Sequence, residues 1–298
     1  MFNKKKKIIK NDKIKVCILM NKFHVGANIL LNKIIKDPNI EIVSIVWSGV
    51  WATSKNKKKK GLLGSGIRWG RKVGHYFLLG LIAVVILHFI QIILLEILLI
   101  GMLFKGRNYF KTMKGLAIEN NIPRVKTSDI NSVETVEYIR SLKPDIILSN
   151  NFNNILKKDI IDVPKIGVIN VHPGLLPFYR GMLPHFWAMV NGDNKVGVTL
   201  HYVDEGVDTG SVISQQAFKV DKNESFYSVW KKTAHYNSNL LKKYFLKLRE
   251  EKTYTRTKKI DLNTKKSQLF KFPTSDAFWK FKAQGKRLFK IRDFIGKP

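Results

Sequence analysis

Apolar residues along the chain fall into short runs with two different rhythms. IKVCILM (14–20), EIVSIVW (41–47), DIILS (145–149) and IGVINV (166–171) are continuous and rich in Val and Ile. That is the pattern of strands buried on both faces, as in a parallel sheet. KVGVTLHYV (195–203) and SVISQQAF (211–218) alternate well enough to be strands, and a short strand is expected near Val125. Between these runs the period lengthens, predicting helices over 25–36 (closed by Asp37-Pro38), 112–120, 184–190 and 224–249. Pro184 suits a first helical turn and Asn191-Gly192 its end. Asn131 followed by Glu134 resembles a capping box before VEYIRSL. Strand, helix and strand at this spacing form βαβ units, so the fold class is α/β, a Rossmann-like open and mostly parallel sheet.

Two regions break the rhythm. Residues 53–111 intrude after the second strand, opening on TSKNKKKK and running into HYFLLGLIAVVILHFIQIILLEILLIGMLF. Across 76–104 only His88, Gln91 and Glu96 are clearly polar, long enough to span a bilayer as a helix. A single crossing conflicts with the fold, because the strands on either side must join one sheet. Arg68, Arg71 and Lys72 before the segment, and Lys105, Arg107, Lys111 and Lys114 after it, place both ends on the cytoplasmic side. The expectation is therefore peripheral or monotopic attachment to the inner membrane face, with a subunit interface, and so a homodimer, as the alternative. The second region is the tail from about residue 250, which is basic and aromatic with no clear periodicity.

Charge sharpens the picture. Lys and Arg number 53 against 22 Asp and Glu, a net charge of +31, which suits an anionic partner such as a membrane surface, a nucleic acid or a phosphorylated substrate. Much of it can equally be solvated surface. The single cysteine, Cys17, excludes an internal disulfide and sits in a strand-like apolar run, as a buried inert thiol would. No G-x-G-x-x-G follows a strand, and GLLGSGIRWG (61–70) lacks the Lys-Ser/Thr of a P-loop, so dinucleotide and ATP chemistry have little support. The histidines and the cysteine show no metal-ligand spacing.

The chemistry concentrates at the end of IGVINV. Asn170 and His172 lie one alternation apart where the strand ends, and ligands of open α/β sheets bind beyond the carboxyl ends of strands. An amide and an imidazole pointing into one cleft can stabilise an oxyanion and move a proton. Pro173 and Pro177 stiffen the loop that follows. Alone, Asn-x-His is a weak signal.

The longer stretch NVHPGLLPFYRGMLPHFWAMVNGD, followed by GVTLHYVDEGVDTGSVISQ, closely resembles the folate-dependent formyltransferase family. The resemblance covers residues 14–47 and 112 to about 218. It implies transfer of a formyl group from 10-formyltetrahydrofolate, as co-substrate, to an amine, with no metal. It assigns catalysis to Asn170, His172 and Asp208, and folate contact to Phe152, Asn154, Leu156, Asp204 and Val207. Phe152 and Leu156 can equally be core residues. Tyr179, Arg180 and Gly181 would close over the acceptor side, although Arg180 can instead pin the loop to a carbonyl. The implied organisation is a catalytic domain over 1–218, interrupted by the insertion at 53–111, then a C-terminal helix and basic tail over 219–298. Among family acceptors, nucleotide-linked amino sugars fit best. Methionyl-tRNA, using the basic tail for RNA, is the alternative, and a scaffold without activity is a third reading.

Overall fold

The computed structural model describes residues 6–7, 13–22, 24–48, 111–152, 154–251, 253–254 and 267–294, together with positions 77, 79, 80, 82–84, 86, 87 and 90. The elements run β1 (Lys6–Lys7), β2 (Ile14–Asn21), α1 (Val25–Ile34), β3 (Ile40–Ser48), α2 (Met113–Glu119), β4 (Arg124–Lys126), α3 (Val133–Ser141) and β5 (Ile146–Asn150). They continue with α4 (Lys158–Ile161), β6 (Gly167–His172), β7 (Tyr179–Gly181), α5 (Pro184–Val190), β8 (Lys195–Tyr202) and β9 (Val212–Lys219). The last are α6 (Phe226–Glu251), β10 (Thr253–Tyr254), β11 (Gln268–Phe270), α7 (Ser275–Ala283) and a 3-10 turn at Ile291–Phe294. The central sheet has seven strands in the order β4-β3-β2-β5-β6-β8-β9. β4 through β6 pair in parallel, while β8 and β9 run antiparallel. This is the α/β open sheet expected from the continuous apolar runs.

β2 and β5 sit in the middle of the sheet, and their side chains are almost all buried. Alternate residues serve two cores. Ile14, Val16, Ile18 and Met20 join the larger one with α1, α5 and α6, whereas Cys17 and Leu19 join the smaller one with Val136, Ile139 and Ile160. Cys17 is fully buried, and burial pushes its thiol up to about 12. The long helix α6 packs on α1 and β8, giving Phe226, Tyr227, Trp230, Leu241 and Phe245 to the larger core.

Two expectations meet a different outcome. The cap of α3 is Ser132, whose Oγ accepts from the Thr135 amide at 3.3 Å, not Asn131. Asn131 instead donates to the Ile155 carbonyl (3.0 Å) and accepts from the Lys157 amide (2.8 Å), tethering the loop that follows β5. The tail is also more ordered in pattern than its sequence suggests. β11 pairs in parallel with β7, and α7, capped by Thr274, gives Phe278 and Phe281 to the main core.

Part of the apolar insertion is described. Positions 77, 79, 80, 82–84, 86, 87 and 90 are helical. Phe77 and Val84 are buried, with Phe77 edge-on to Phe186 at 4.8 Å. The other predicted features of 53–111 lie outside the described residues. Among the described residues no helix is long and apolar enough to cross a membrane.

Candidate active site

Register brings the site together. Asn170 and His172 lie at the carboxyl end of β6, with Ser149 of β5 opposite Asn170 on one side and His201 of β8 opposite it on the other. After β8 the chain turns back through 203–210, a turn stitched by Asp204, whose Oδ1 accepts from Gly206 N (3.2 Å) and from the Thr209 hydroxyl. Asp208 has φ +51, a left-handed conformation that Asp tolerates better than most residues. That conformation delivers its carboxylate to the end of β6.

Asp208 Oδ2 lies 3.5 Å from His172 Nδ1, and Oδ1 lies 3.5 Å from His201 Nε2. The Asn170 amide reaches His201 Nε2 at 3.1 Å and Asp208 Oδ1 at 3.4 Å. The Gly181 amide donates to Asp208 Oδ2 at 2.7 Å. The amide, the two imidazoles and the carboxylate therefore form one cluster. His201 belongs to it too, a residue that the motif alone does not single out. The residue stood inside the quoted GVTLHYVDEGVDTG, but its signal was the cross-strand register with Asn170.

Tautomers follow from the partners. His172 Nε2 lies 2.6 Å from the Tyr179 carbonyl and must donate, so in the neutral ring Nδ1 is left as a lone pair facing Asp208. His201 Nδ1 lies 2.8 Å from the Tyr202 carbonyl and likewise donates, leaving Nε2 to accept from Asn170 in the neutral form. Burial lowers the His172 pKa below its usual value, outweighing the pull of Asp208 in the other direction. Burial pushes the Asp208 carboxyl up, but His172, His201 and the Gly181 amide together hold it well below the usual carboxylate range. An ionised carboxylate beside a neutral imidazole is thus the resting state near neutral pH.

The predicted acceptor-side residues surround this cluster by contacts of different kinds. Tyr179 touches His172 through its carbonyl, while its hydroxyl donates to Asp193 at 2.5 Å. Arg180 donates through Nε (3.0 Å) and Nη2 (2.9 Å) to the Val207 carbonyl, the pinning arrangement, which ties the β7 loop to the Asp208 turn. Gly181 has φ +88, and an added Cβ would lie 2.3 Å from the Phe270 carbonyl. β11 thus presses directly against the strand that holds Asp208.

The residues predicted to touch folate divide. Leu156 is buried in the smaller core and Phe152 packs on its edge, while Asn154 and Asp204 are half-buried. The register of β5 against β6 sets Asn150 and the segment after it next to Asn170. Asn150 is itself spent on the Ala27 carbonyl at 3.0 Å. Ile155 and Val207 expose apolar side chains, 65% and 38% accessible, on the two loops that leave β5 and β8.

Residues 108–244 match the family model described as formyl transferase. Methionyl-tRNA formyltransferase of Clostridioides difficile (strain 630) is 47% identical over 111 residues, 37% of this chain and 36% of that protein. The bifunctional polymyxin resistance protein ArnA of Wigglesworthia glossinidia brevipalpis is 36% identical over 135 residues, 45% of this chain and 21% of that protein. The chain thus spans well under half the length of these two relatives. Glycinamide ribonucleotide transformylase 1 from Symbiobacterium toebii shares the fold, with a TM-score of 0.53 and 12% identity over 81% of this chain and 90% of that one.

Proposed function

Because this chain belongs, through residues 108–244, to the folate-dependent formyltransferase family, we propose that it moves a formyl group from 10-formyltetrahydrofolate to a primary amine. The observation that carries this reading is the convergence of Asn170, His172 and Asp208 at the end of β6. Folate supplies the formyl carbon when bound. The long 3.4 Å bond from Asn170 to Asp208 is the one most easily exchanged for a bond to the formyl oxygen as that oxygen gains negative charge. The proton released by the attacking amine would go to His172 Nδ1, where the facing Asp208 carboxylate holds the resulting imidazolium, and would pass to the tetrahydrofolate nitrogen as its bond to the formyl carbon breaks. His201 keeps the Asn170 amide turned toward the cleft.

The acceptor we favour is an amine on a nucleotide-linked sugar. The described tail, 267–294, is a short strand, a helix and a 3-10 turn folded onto β7 and the main core. Methionyl-tRNA is the second reading, favoured by the methionyl-tRNA formyltransferases among the relatives. Incubation with formylated folate and each acceptor class, read as a mass gain of one formyl group, separates the two. Absence of formyl transfer to any amine would sink both.

The membrane face belongs to the same proposal. Leu79, Ile82, Ile86 and Ile90 are 63%, 45%, 52% and 45% exposed, and their spacing of three, four and four sets them along one helical face. Phe77 and Val84 turn the opposite way, into the core. An apolar outer face on a strongly basic protein fits an anionic leaflet.

A further inference from the structure

Two side chains beside the cluster, Thr199 and Gln215, take no part in the proposed chemistry. Register sets His172 of β6, Thr199 of β8 and Gln215 of β9 directly opposite one another across three antiparallel strands. Residues opposite one another in such a ladder project from one face of the sheet, so Thr199 and Gln215 share the face of His172. Alternation along β8 puts Gly197 and His201 on that face as well. His201 meets Asn170 there. Gly197 leaves room for Leu175, since an added Cβ would lie 2.4 Å from Leu175 Cδ2. Thr199, between them, is fully buried.

The Thr199 hydroxyl is fully committed. It donates to the Gly174 carbonyl at 2.6 Å, and accepts from the Leu176 amide at 3.2 Å and from Gln215 Nε2 at 3.0 Å. A hydroxyl has one donor and two acceptor sites, so all three are spent. Gln215 Nε2 also donates to the Leu176 carbonyl at 2.8 Å. The backbone held in this way abuts His172. An added Cβ at Gly174 would lie 2.8 Å from His172 Nε2 and 3.1 Å from Cδ2, so the chain there rests against the ring edge that carries Nε2. The Phe178 amide then donates to the Leu175 carbonyl at 3.0 Å, closing the turn that brings the Tyr179 carbonyl to 2.6 Å from the same nitrogen. β11 pairs with Tyr179–Gly181 and holds the far end of this loop, which leaves the near end to Thr199.

We propose that Thr199, latched from outside by Gln215, is a positioning residue for His172, fixing the 174–178 loop so that the imidazole keeps its proton on Nε2. The consequence for rate rests on the formyl-transfer reading; the consequence for the ring does not. Without the hydroxyl, the Gly174 carbonyl and the Leu176 amide lose their partner in a buried setting, and the loop shifts to recover one. The Tyr179 carbonyl then no longer claims the Nε2 proton. The proton moves to Nδ1, where the Asp208 carboxylate, 3.5 Å away, accepts it. The ring becomes a donor at the atom where the attacking amine needs a base.

The test reads the tautomer of His172 by nitrogen NMR of the histidine rings in the full chain, with its resonances identified by their loss in His172→Gln. The native ring should carry its proton on Nε2. Thr199→Val keeps the shape and removes the hydroxyl. It should shift the proton toward Nδ1 and lower kcat for formyl transfer by roughly tenfold or more, with KM for 10-formyltetrahydrofolate little changed. Thr199→Ser keeps a hydroxyl and should return both readings to native. Gln215→Leu, at an exposed position of the edge strand β9, should move the same two readings by less, and should add nothing when combined with Thr199→Val. The proposal is overturned if folded Thr199→Val keeps the native tautomer and kcat, or if Thr199→Ser loses as much as Thr199→Val. It is also overturned if Gln215→Leu leaves both readings unchanged, a result that stands even should Thr199→Val fail to fold. The tautomer is read without substrate. A native chain that transfers no formyl group would therefore defeat the functional reading, while the ring still decides the role of Thr199.

Discussion

In the proposed reaction a neutral His172 with its proton on Nε2 makes Nδ1 the base, and burial lowers the pH at which that base is lost. The acid limb of the rate profile should therefore fall below the ordinary histidine value of about 6.5. Asp208→Asn removes the charge that pulls the ring upward, so the limb should move lower still while the rate drops. A single-turnover pH profile checks both, and a limb at 6.5 or above would contradict the assignment. Asn170→Ala should cost about a hundredfold to a thousandfold in formyl transfer, the usual loss for one oxyanion donor, with unchanged thermal stability. A second residue-scale prediction concerns folding. His185 is fully buried, and burial carries its pKa down to about 3. The folded state keeps this ring neutral where the unfolded chain protonates it. Its contribution is intact above pH 6.5 and is lost as pH falls toward 3, by roughly 1.4 kcal/mol per unit. Denaturant midpoints taken from pH 7 to pH 4 should fall steadily, with a shallower slope in His185→Phe. Asn170, His172 and Asp208 were legible in the sequence because they stand inside one long motif. His201 stood in the same motif and was missed, because its role depends on which strand lies beside β6.

At the scale of elements, the loop that carries β7 is held from the tail. β11 runs parallel to β7, Met182 donates to the Phe270 carbonyl at 2.9 Å, and the Trp187 indole donates to the Lys271 carbonyl at 3.0 Å. Gly181 is the contact point, since only a residue without Cβ fits beneath Phe270 at φ +88. Gly181→Ala should destabilise the protein by about 1–3 kcal/mol and displace the amide that donates to Asp208. Urea unfolding reads the first effect, and a fall in kcat under conditions where the variant is fully folded reads the second. Unchanged kcat would show that β11 merely covers the loop. The strands of the sheet centre were readable to within a residue or two because a strand buried on both faces is a continuous apolar run. β11 was not, being QLF in a basic setting, three residues whose partner lies far upstream. The helix at Ser275–Ala283 does carry a local signal, Thr274 as a cap and Phe278 and Phe281 at helical spacing, but it is too short to impose a periodicity on the basic tail.

For the whole molecule, the question is where a chain of net charge +31 with an apolar helical face resides. Four exposed aliphatic side chains on one face are unfavourable in water. Burying the exposed half of each stabilises by about 1 kcal/mol, and each lysine near an anionic leaflet adds roughly 1 kcal/mol. Gly80 lets this helix approach Leu288, so the face is carried by a segment packed on the body of the protein. Neither term alone identifies a membrane: charge alone would bind any polyanion, and an apolar face alone would bind a second copy. The combination predicts co-sedimentation with phosphatidylglycerol-containing vesicles, weakened but not abolished by high salt, because the aliphatic share is not screened. Ile82→Glu with Ile86→Glu should lower partitioning at least tenfold while formyl transfer to a soluble amine persists, since neither residue touches the catalytic cluster. If the double variant instead sediments with vesicles unchanged and the native chain dimerises through this face, the stripe is a subunit contact. The positive charge would then have to be explained by another polyanion.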